Sequence, residues 1–274
     1  MITLCTLFDS AYLTRGLCLI DSLRRHAPDA VLYVLALDDK TLSYFDDVDG
    51  RGVVPIPLSE IETADLLRAK ANRTHEEYCW TLASAFALYC ADTFKPDSIA
   101  YIDADCYLFG GLNELYDEVE NAPVAITPHR YAPNQVERLY GAGEFNVGWV
   151  YFSRDGYPCL RHWRDQCVEW CYHVIERDGR FGDQGYLNDW PDRWRAHVVY
   201  NLGVNLAPWN QGQYVYTLDN SRIVVSNRTR GDPLAMYHFH GFQSPYHMTD
   251  YKLNPIVEQF VYGPYRRDYV RRMG

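Results

Sequence analysis

A chain of 274 residues can bury a core large enough for one sizeable α/β domain or two small ones, so small size is no obstacle to stability. Its formal net charge of -10 argues against a nucleic-acid backbone as main partner, because non-specific binding to polyphosphate needs a basic surface, whereas a single phosphorylated ligand stays compatible. Eight cysteines, none in a C-x-x-C pair and several inside apolar stretches, are expected to be reduced core residues of a cytoplasmic protein.

The first residues enter an apolar run with no basic segment ahead of it and no cleavage pattern, so no secretory signal is expected. No uninterrupted apolar run approaches the roughly 20 residues that a bilayer crossing needs, which leaves peripheral membrane association open. Residues 2–7, 31–37, 53–56 and 99–102 read as strands. Between them, residues 14–26 put Leu17, Ile20 and Leu23 at helical spacing, and residues 81–94 repeat such a face with Phe86 and Leu88. This alternation predicts an α/β fold with a central, mostly parallel sheet flanked by helices. A strand at 124–127 follows, then a Gly- and Tyr-rich loop and a strand at 146–152. Helical patterns cover 157–177 and 182–189. The remainder is irregular and aromatic, with Trp190, Trp194 and Trp209, short strands at 222–225 and 234–239, and a tail helix within 251–274. No internal repeat or low-complexity linker divides the chain, so residues 1–274 read as a single domain.

Two segments hold metal-ligand chemistry. The apolar strand before Asp103, Ala104 and Asp105 ends in carboxylates two residues apart, which face the same side if the backbone stays extended. Carboxylates are hard ligands that suit Mn²⁺ or Mg²⁺, and the end of a strand is where open α/β sheets bind ligands. Taken alone, a D-x-D is equally an Asx-type turn with solvated carboxylates. Far downstream, His238 and His240 face one side if residues 234–240 form a strand, and an imidazole complements carboxylates around a cation. A lone histidine is more often a hydrogen-bonded core group, but the two motifs in one chain strengthen the metal reading.

With these pieces in place the chain resembles the GT-A glycosyltransferases, and within them the glycogenin and galactosyltransferase relatives of glycosyltransferase family 8. The opening strand leads to a turn with Asp9 and Tyr12; the D-x-D follows; F-N-x-G is matched by Phe145, Asn146, Val147 and Gly148. D-Q-x-x-L-N is matched by Asp183, Gln184, Gly185, Tyr186, Leu187 and Asn188, and the closing H-F-x-G by His238, Phe239, His240 and Gly241. The resemblance implies a nucleotide-diphosphate sugar donor, with Tyr12 stacking on uracil and Asp9, with neighbouring groups of Thr6 and Leu7, holding the nucleoside. It implies that Asp103, Asp105 and His238 ligate Mn²⁺ (or Mg²⁺), with Ala104, Gly241 and Ser244 completing the donor site. Asn146, Asp183 and Gln184 would line the sugar and acceptor side. The same resemblance divides the chain into a nucleotide-binding half, about 1–127, and an acceptor-side half, about 128–250. It favours a retaining reaction with Gln184 near the sugar; in an inverting one Asp183 would be the base. The acceptor is unnamed, a saccharide or a lipid-linked glycan.

Departures from the family pattern are informative. Ser244 stands where the family has lysine, and Tyr246 where it has tryptophan. A hydroxyl cannot replace that charge. Gln243, Lys252, Arg228 or Arg230 would supply the contact, or the metal would carry more of it. Two other classes fit an acidic α/β site: a sugar-nucleotide nucleotidyltransferase, which wants a basic Gly-rich loop after the first strand that is absent here, and a catalytically inactive sugar-nucleotide-binding protein. The three tryptophans read as core more readily than as sugar-stacking platforms, and Asp183 doubles as a helix N-cap candidate. The tail, rich in Arg and Tyr, reads as a solvated terminus more readily than as a contact with anionic lipid.

Overall fold

The computed structural model describes residues 1–47, 50, 52–220 and 222–273. Strands β1 (Thr3–Phe8), β2 (Val31–Ala36), β3 (Val53–Pro57) and β4 (Ser98–Ile102) are parallel neighbours in the order β3-β2-β1-β4. Helices α1 (Leu13–His26), α2 (Asp39–Tyr44), α3 (Ala64–Lys70) and α4 (His75–Phe94) make the crossovers. The central strands are buried on both faces, and successive side chains enter different cores. Cys5, Leu7, Tyr33, Leu35, Ile99 and Tyr101 join one apolar cluster, while Leu4, Phe8, Leu32, Val34, Ala100 and Ile102 join the other.

The second half continues with β5 (Cys106–Leu108), α5 (Asn113–Val119), β6 (Val124–Pro128), α6 (Leu139–Ala142), β7 (Phe145–Ser153), α7 (Tyr157–Glu169), α8 (Trp190–Arg193) and β8 (His197–Val198), of which β6, β7 and β8 complete the sheet. Strand β7 lies antiparallel between β4 and β6, and the seven-stranded order is β3-β2-β1-β4-β7-β6-β8. Beyond it, β9 (Val215–Asp219), β10 (Arg222–Ser226) and β11 (Gly231–Pro233) form an antiparallel sheet of their own, and β12 (Met236–His238) pairs antiparallel with β5. The chain closes with α9 (Pro255–Val257), a π-turn over Glu258–Tyr262 and α10 (Gly263–Met273), which packs on α1.

Several expectations are corrected here. Helix α4 begins at His75 because Thr74 and Glu77 form a reciprocal capping box. Helix α7 stops at Glu169, where Trp170 turns extended, well short of 177. Residues 185–189 form only a 3-10 turn, and no side chain caps it, so Asp183 is not an N-cap. The chain end is no solvated tail. Tyr265 and Tyr269 are buried in a third apolar cluster with Tyr107, Phe239 and Phe242, and Arg271 and Arg272 both bond the buried Asp21 of α1. Trp190 and Trp209 are core residues, with Trp194 half-buried. All eight cysteines are free thiols, and every one but Cys79 is buried.

Candidate active site

Strand pairing, rather than sequence proximity, assembles the site. In the β5–β12 register His238 faces Cys106, so the imidazole arrives beside the residue before it, Asp105. The D-x-D is a tight turn between β4 and β5 and not extended strand: Cys106 N–H donates to Asp103 O at 3.0 Å. The turn is fixed on both sides, since Asp103 N–H donates to Gly148 O at 3.2 Å and Phe239 N–H to Asp105 O at 2.9 Å.

His238 Nε2 stands 3.1 Å from Asp105 Oδ1 and 3.7 Å from Asp103 Oδ2, and the His238 side chain is only 4% exposed. Neighbouring ligands in an octahedral shell with bonds of about 2.1 Å are about 3 Å apart, a spacing that His238 Nε2 and Asp105 Oδ1 have while Asp103 stands farther off. Among the described residues, the group whose ligand atoms all lie close together is Asp105, Cys106 and His238, a set able to hold a divalent cation. Cys106 Sγ lies within ligand range of Asp105 and His238, but burial, with the two aspartates adding, pushes its thiol well up and keeps it protonated. Burial raises Asp103 to about 6, and Asp105 adds to this against the opposing His238. Burial also opposes charge on Asp105, but His238 outweighs it and lowers that group. For His238, burial disfavours the imidazolium, yet the pull of both carboxylates leaves it raised.

Behind His238 the support is dense. Asn146 Oδ1 is 3.2 Å from His238 Nδ1, and a Cβ on Gly148 would come within 2.5 Å of that oxygen, 2.6 Å of His238 Nδ1 and 3.0 Å of Asn205 Oδ1. Asn205 is fully buried with a left-handed backbone (φ 55°), donates to Thr127 Oγ1 and leaves its own Oδ1 without a partner. Sequence reasoning missed it, and no local pattern marks it. Trp209 lies edge-on to both His238 and His240, with ring centres 5.2 and 5.3 Å away, so it walls the site from inside the core.

On the β1 side, Asp9 Oδ1 accepts the N–H groups of Ala11 and Tyr12, both at 3.0 Å, and Oδ2 lies 2.8 Å from His75 Nε2. Tyr12 keeps 45% of its surface exposed, and burial of the rest, with Asp105 adding, pushes its hydroxyl up to about 12. The side chains of Thr6 and Leu7 are buried, and it is backbone groups beside Asp9 that are expected to meet the nucleoside. Ala104 is buried in the D-x-D turn. Gly241 takes φ 69° with open space around it, and Ser244 Oγ accepts the N–H groups of Tyr246 and His247, capping its own turn.

Asp183 is buried at the far end, and burial, followed by the nearby Asp103, raises its carboxyl well above the usual range. Gln184 donates from Nε2 to Ala142 O at 2.7 Å, tying the turn to the 133–144 loop. Of the cations expected to replace the family's lysine, Arg230 bonds Asp232 in the outer sheet and Lys252 is exposed, while Gln243 bonds Asp250. Arg15 on α1, unnoticed in the sequence, instead reaches the loop after His238 and donates to Phe242 O at 2.7 Å.

No protein-family model matches the chain. Among solved structures, galactosyltransferase LgtC in complex with donor and acceptor sugar analogs superposes with a TM-score of 0.64 at 14% identity, covering 98% of this chain and 96% of LgtC. GlyE of Streptococcus pneumoniae TIGR4 gives 0.58 at 18% identity, covering 99% of this chain and 62% of GlyE. Mouse xyloside xylosyltransferase 1 gives 0.56 at 14% identity, covering 87% and 97%. The fold is therefore the GT-A fold of the family 8-like glycosyltransferases. In sequence, the uncharacterized protein YfnD of Bacillus subtilis (strain 168) is 31% identical over 242 residues, 86% of this chain and 76% of YfnD. YfnF of the same organism is 28% identical over 251 residues, covering 87% and 81%. This chain belongs to the family of YfnD.

Proposed function

We propose that the chain is a metal-dependent glycosyltransferase that moves a sugar from a nucleotide-diphosphate donor, a UDP-sugar, onto a saccharide or lipid-linked acceptor with retention of configuration. The observation that carries this reading is the meeting of His238 with Asp103 and Asp105 at the ligand-binding end of the sheet. When bound there, a divalent cation supplies Lewis-acid neutralisation of the diphosphate leaving group and orients the donor. Tyr12 offers an exposed face to the base, and Asp9, held rigid by its own turn, positions the nucleoside. Gln184, anchored through its amide nitrogen, has its amide oxygen left to hydrogen-bond the sugar. As the bond from the anomeric carbon to the phosphate oxygen breaks, the acceptor oxygen bonds that carbon from the same face and passes its proton to the departing phosphate. Asp183, buried and with high proton affinity, hydrogen-bonds the sugar as a neutral acid. The nucleotide side falls in residues 1–127 and the acceptor side in 128–250.

Melting curves with UDP and Mn²⁺ test the donor, because a ligand that binds only the folded chain raises the melting temperature. Mn²⁺-dependent hydrolysis of a panel of UDP-sugars tests the chemistry. A flat melting temperature at millimolar UDP and Mn²⁺, with no hydrolysis of any donor, overturns the proposal.

A further inference from the structure

Arg15 occupies the first turn of α1, three residues after Tyr12. Its guanidinium carbon lies 4.5 Å from the centre of the Tyr12 ring, and Nη2 donates to the carbonyl of Phe242, four residues beyond His238. One planar cation thus touches the two ends of the donor site: the aromatic face offered to the base and the loop that continues from the metal-ligating histidine. A nucleoside diphosphate has to run its two phosphates across that interval. The side chain is half-buried, and its hydrogen-bond partner is a neutral carbonyl rather than a carboxylate, so its charge is not cancelled at contact. The charge is felt nearby: it opposes the rise that burial and Asp105 impose on Tyr12, and it adds to the lowering of Asp105 behind His238 and His240. Three other basic groups are engaged elsewhere, while Lys252 and Arg228 are exposed. His75 pairs with Asp9, Arg73 donates to Thr81 Oγ1 and Val168 O, and Arg230 is bound by Asp232. Ser244 brings a hydroxyl but no charge.

We propose, resting on the function above, that Arg15 is the residue that binds the donor's diphosphate, its free N–H groups bonding phosphate oxygens across from the cation. A guanidinium presents five N–H donors in a rigid fork suited to phosphate, and only one of them is taken by Phe242 O. Stacking on Tyr12 fixes the plane of that fork, so the base and the phosphates are bound by one preorganised pair.

The test is calorimetric titration of the full chain and of Arg15→Gln and Arg15→Lys with UDP and with inorganic pyrophosphate, each in saturating Mn²⁺, alongside uridine followed by ligand-observed NMR. Expected for Arg15→Gln is a loss of about ten- to a hundredfold in affinity for UDP and for pyrophosphate, with uridine unchanged. Arg15→Lys restores part of the loss because the charge returns without the fork. Equal weakening of uridine and UDP marks Arg15 as a clamp on the 239–242 loop only, and undiminished binding of both diphosphate ligands removes it from the site. Either result overturns the inference while UDP binding by the unaltered chain leaves the glycosyltransferase reading standing. If the unaltered chain takes neither UDP nor pyrophosphate, that reading fails first and this inference with it. Pyrophosphate binding without UDP binding still tests Arg15 and moves only the identity of the base. Should Arg15→Gln not fold, as its melting curve will show, the comparison of Arg15→Lys with the unaltered chain decides.

Discussion

Asn146 fixes the orientation of His238: its Oδ1 accepts the N–H of Gly148 at 2.8 Å and lies 3.2 Å from Nδ1 of the histidine ring. An atom that accepts a backbone N–H is the amide oxygen, so the ring must donate from Nδ1, and Nε2 faces Asp105 and Asp103, open to a cation once its own proton leaves. Outer partners of this kind set the tautomer of a ligating histidine and commonly contribute ten- to a hundredfold in metal affinity. Asn146→Ala is therefore expected to weaken Mn²⁺ binding by about that factor while the fold persists. Calorimetry with Mn²⁺ alone is the check, and an unchanged dissociation constant counts against His238 as a ligand.

Gly148 makes room for this arrangement. A methyl group there would overlap Asn146 Oδ1 and His238 Nδ1 at 2.5 and 2.6 Å, closer than real contacts allow. Both neighbours are buried and tied down, so Gly148→Ala must displace them at a cost of about 1–3 kcal/mol. The expected outcome is a melting temperature lower by several degrees together with loss of Mn²⁺ stabilisation. A variant that melts lower yet retains full Mn²⁺ stabilisation would show the glycine to be a packing requirement alone.

The strands of the first hundred residues were legible because buried parallel strands are short apolar runs between amphipathic helices, and β1 to β4 differ from expectation only at their ends. The D-x-D and H-x-H-G motifs were legible as residues, but what unites them was not. Strand β5 has three residues and follows its turn immediately, so it offers no periodicity to read, and its pairing with β12 joins segments some 130 residues apart. The start of α4 was signalled by Thr74, three residues before Glu77, and was missed because the apolar face becomes dense only later. Arg15 and Asn205 owe their places to segments distant in the chain, Arg15 to Phe242 and Asn205 to Thr127, and nothing in the neighbouring residues announces either contact.

Metal binding should depend on pH in a definite direction. Asp103 and His238 are both raised, so each tends to hold a proton that a cation has to displace. As pH rises through about 6, where Asp103 titrates, and on through the raised range of His238, the protons leave and the ligands become available. Melting temperatures with and without Mn²⁺ should therefore diverge as pH increases over that window. A constant difference from one end to the other contradicts the assignment of these groups as ligands.

Asp183 gives a separate test because its carboxyl is raised by burial and by Asp103. A raised acid is protonated in the folded chain while the unfolded chain is already ionised, so its contribution to stability declines as pH climbs above the ordinary carboxylate range. Asp183→Asn removes that decline. In EDTA the variant should melt higher than the unaltered chain at pH 8 by more than at pH 5, and sugar transfer should fall because an amide N–H donates a weaker hydrogen bond to the sugar than a carboxylic acid does. A gap that shrinks with pH would mean that a cationic partner, and not burial, governs this carboxyl.

The latch between the chain end and α1 makes the last expectation. Asp21 is 8% exposed and is bonded by Arg272 Nε at 2.8 Å and by Arg271 Nη2 at 3.1 Å. Burial opposes its charge, but the two arginines outweigh it and lower the carboxyl, so the latch stabilises the fold above the ordinary carboxylate range and weakens as pH falls. Removing one partner of a fully buried pair costs about 3–5 kcal/mol, and the 60% exposure of Arg271 reduces this, so Asp21→Asn should cost about 2 kcal/mol. Because α10 also brings Tyr265 against Phe239, 3.7 Å between stacked rings, loosening it reaches the loop from His238 to Phe242. Urea unfolding should report the lost stability, and UDP affinity in Mn²⁺ should fall with it. A stability loss with UDP affinity intact would confine the latch to holding the fold.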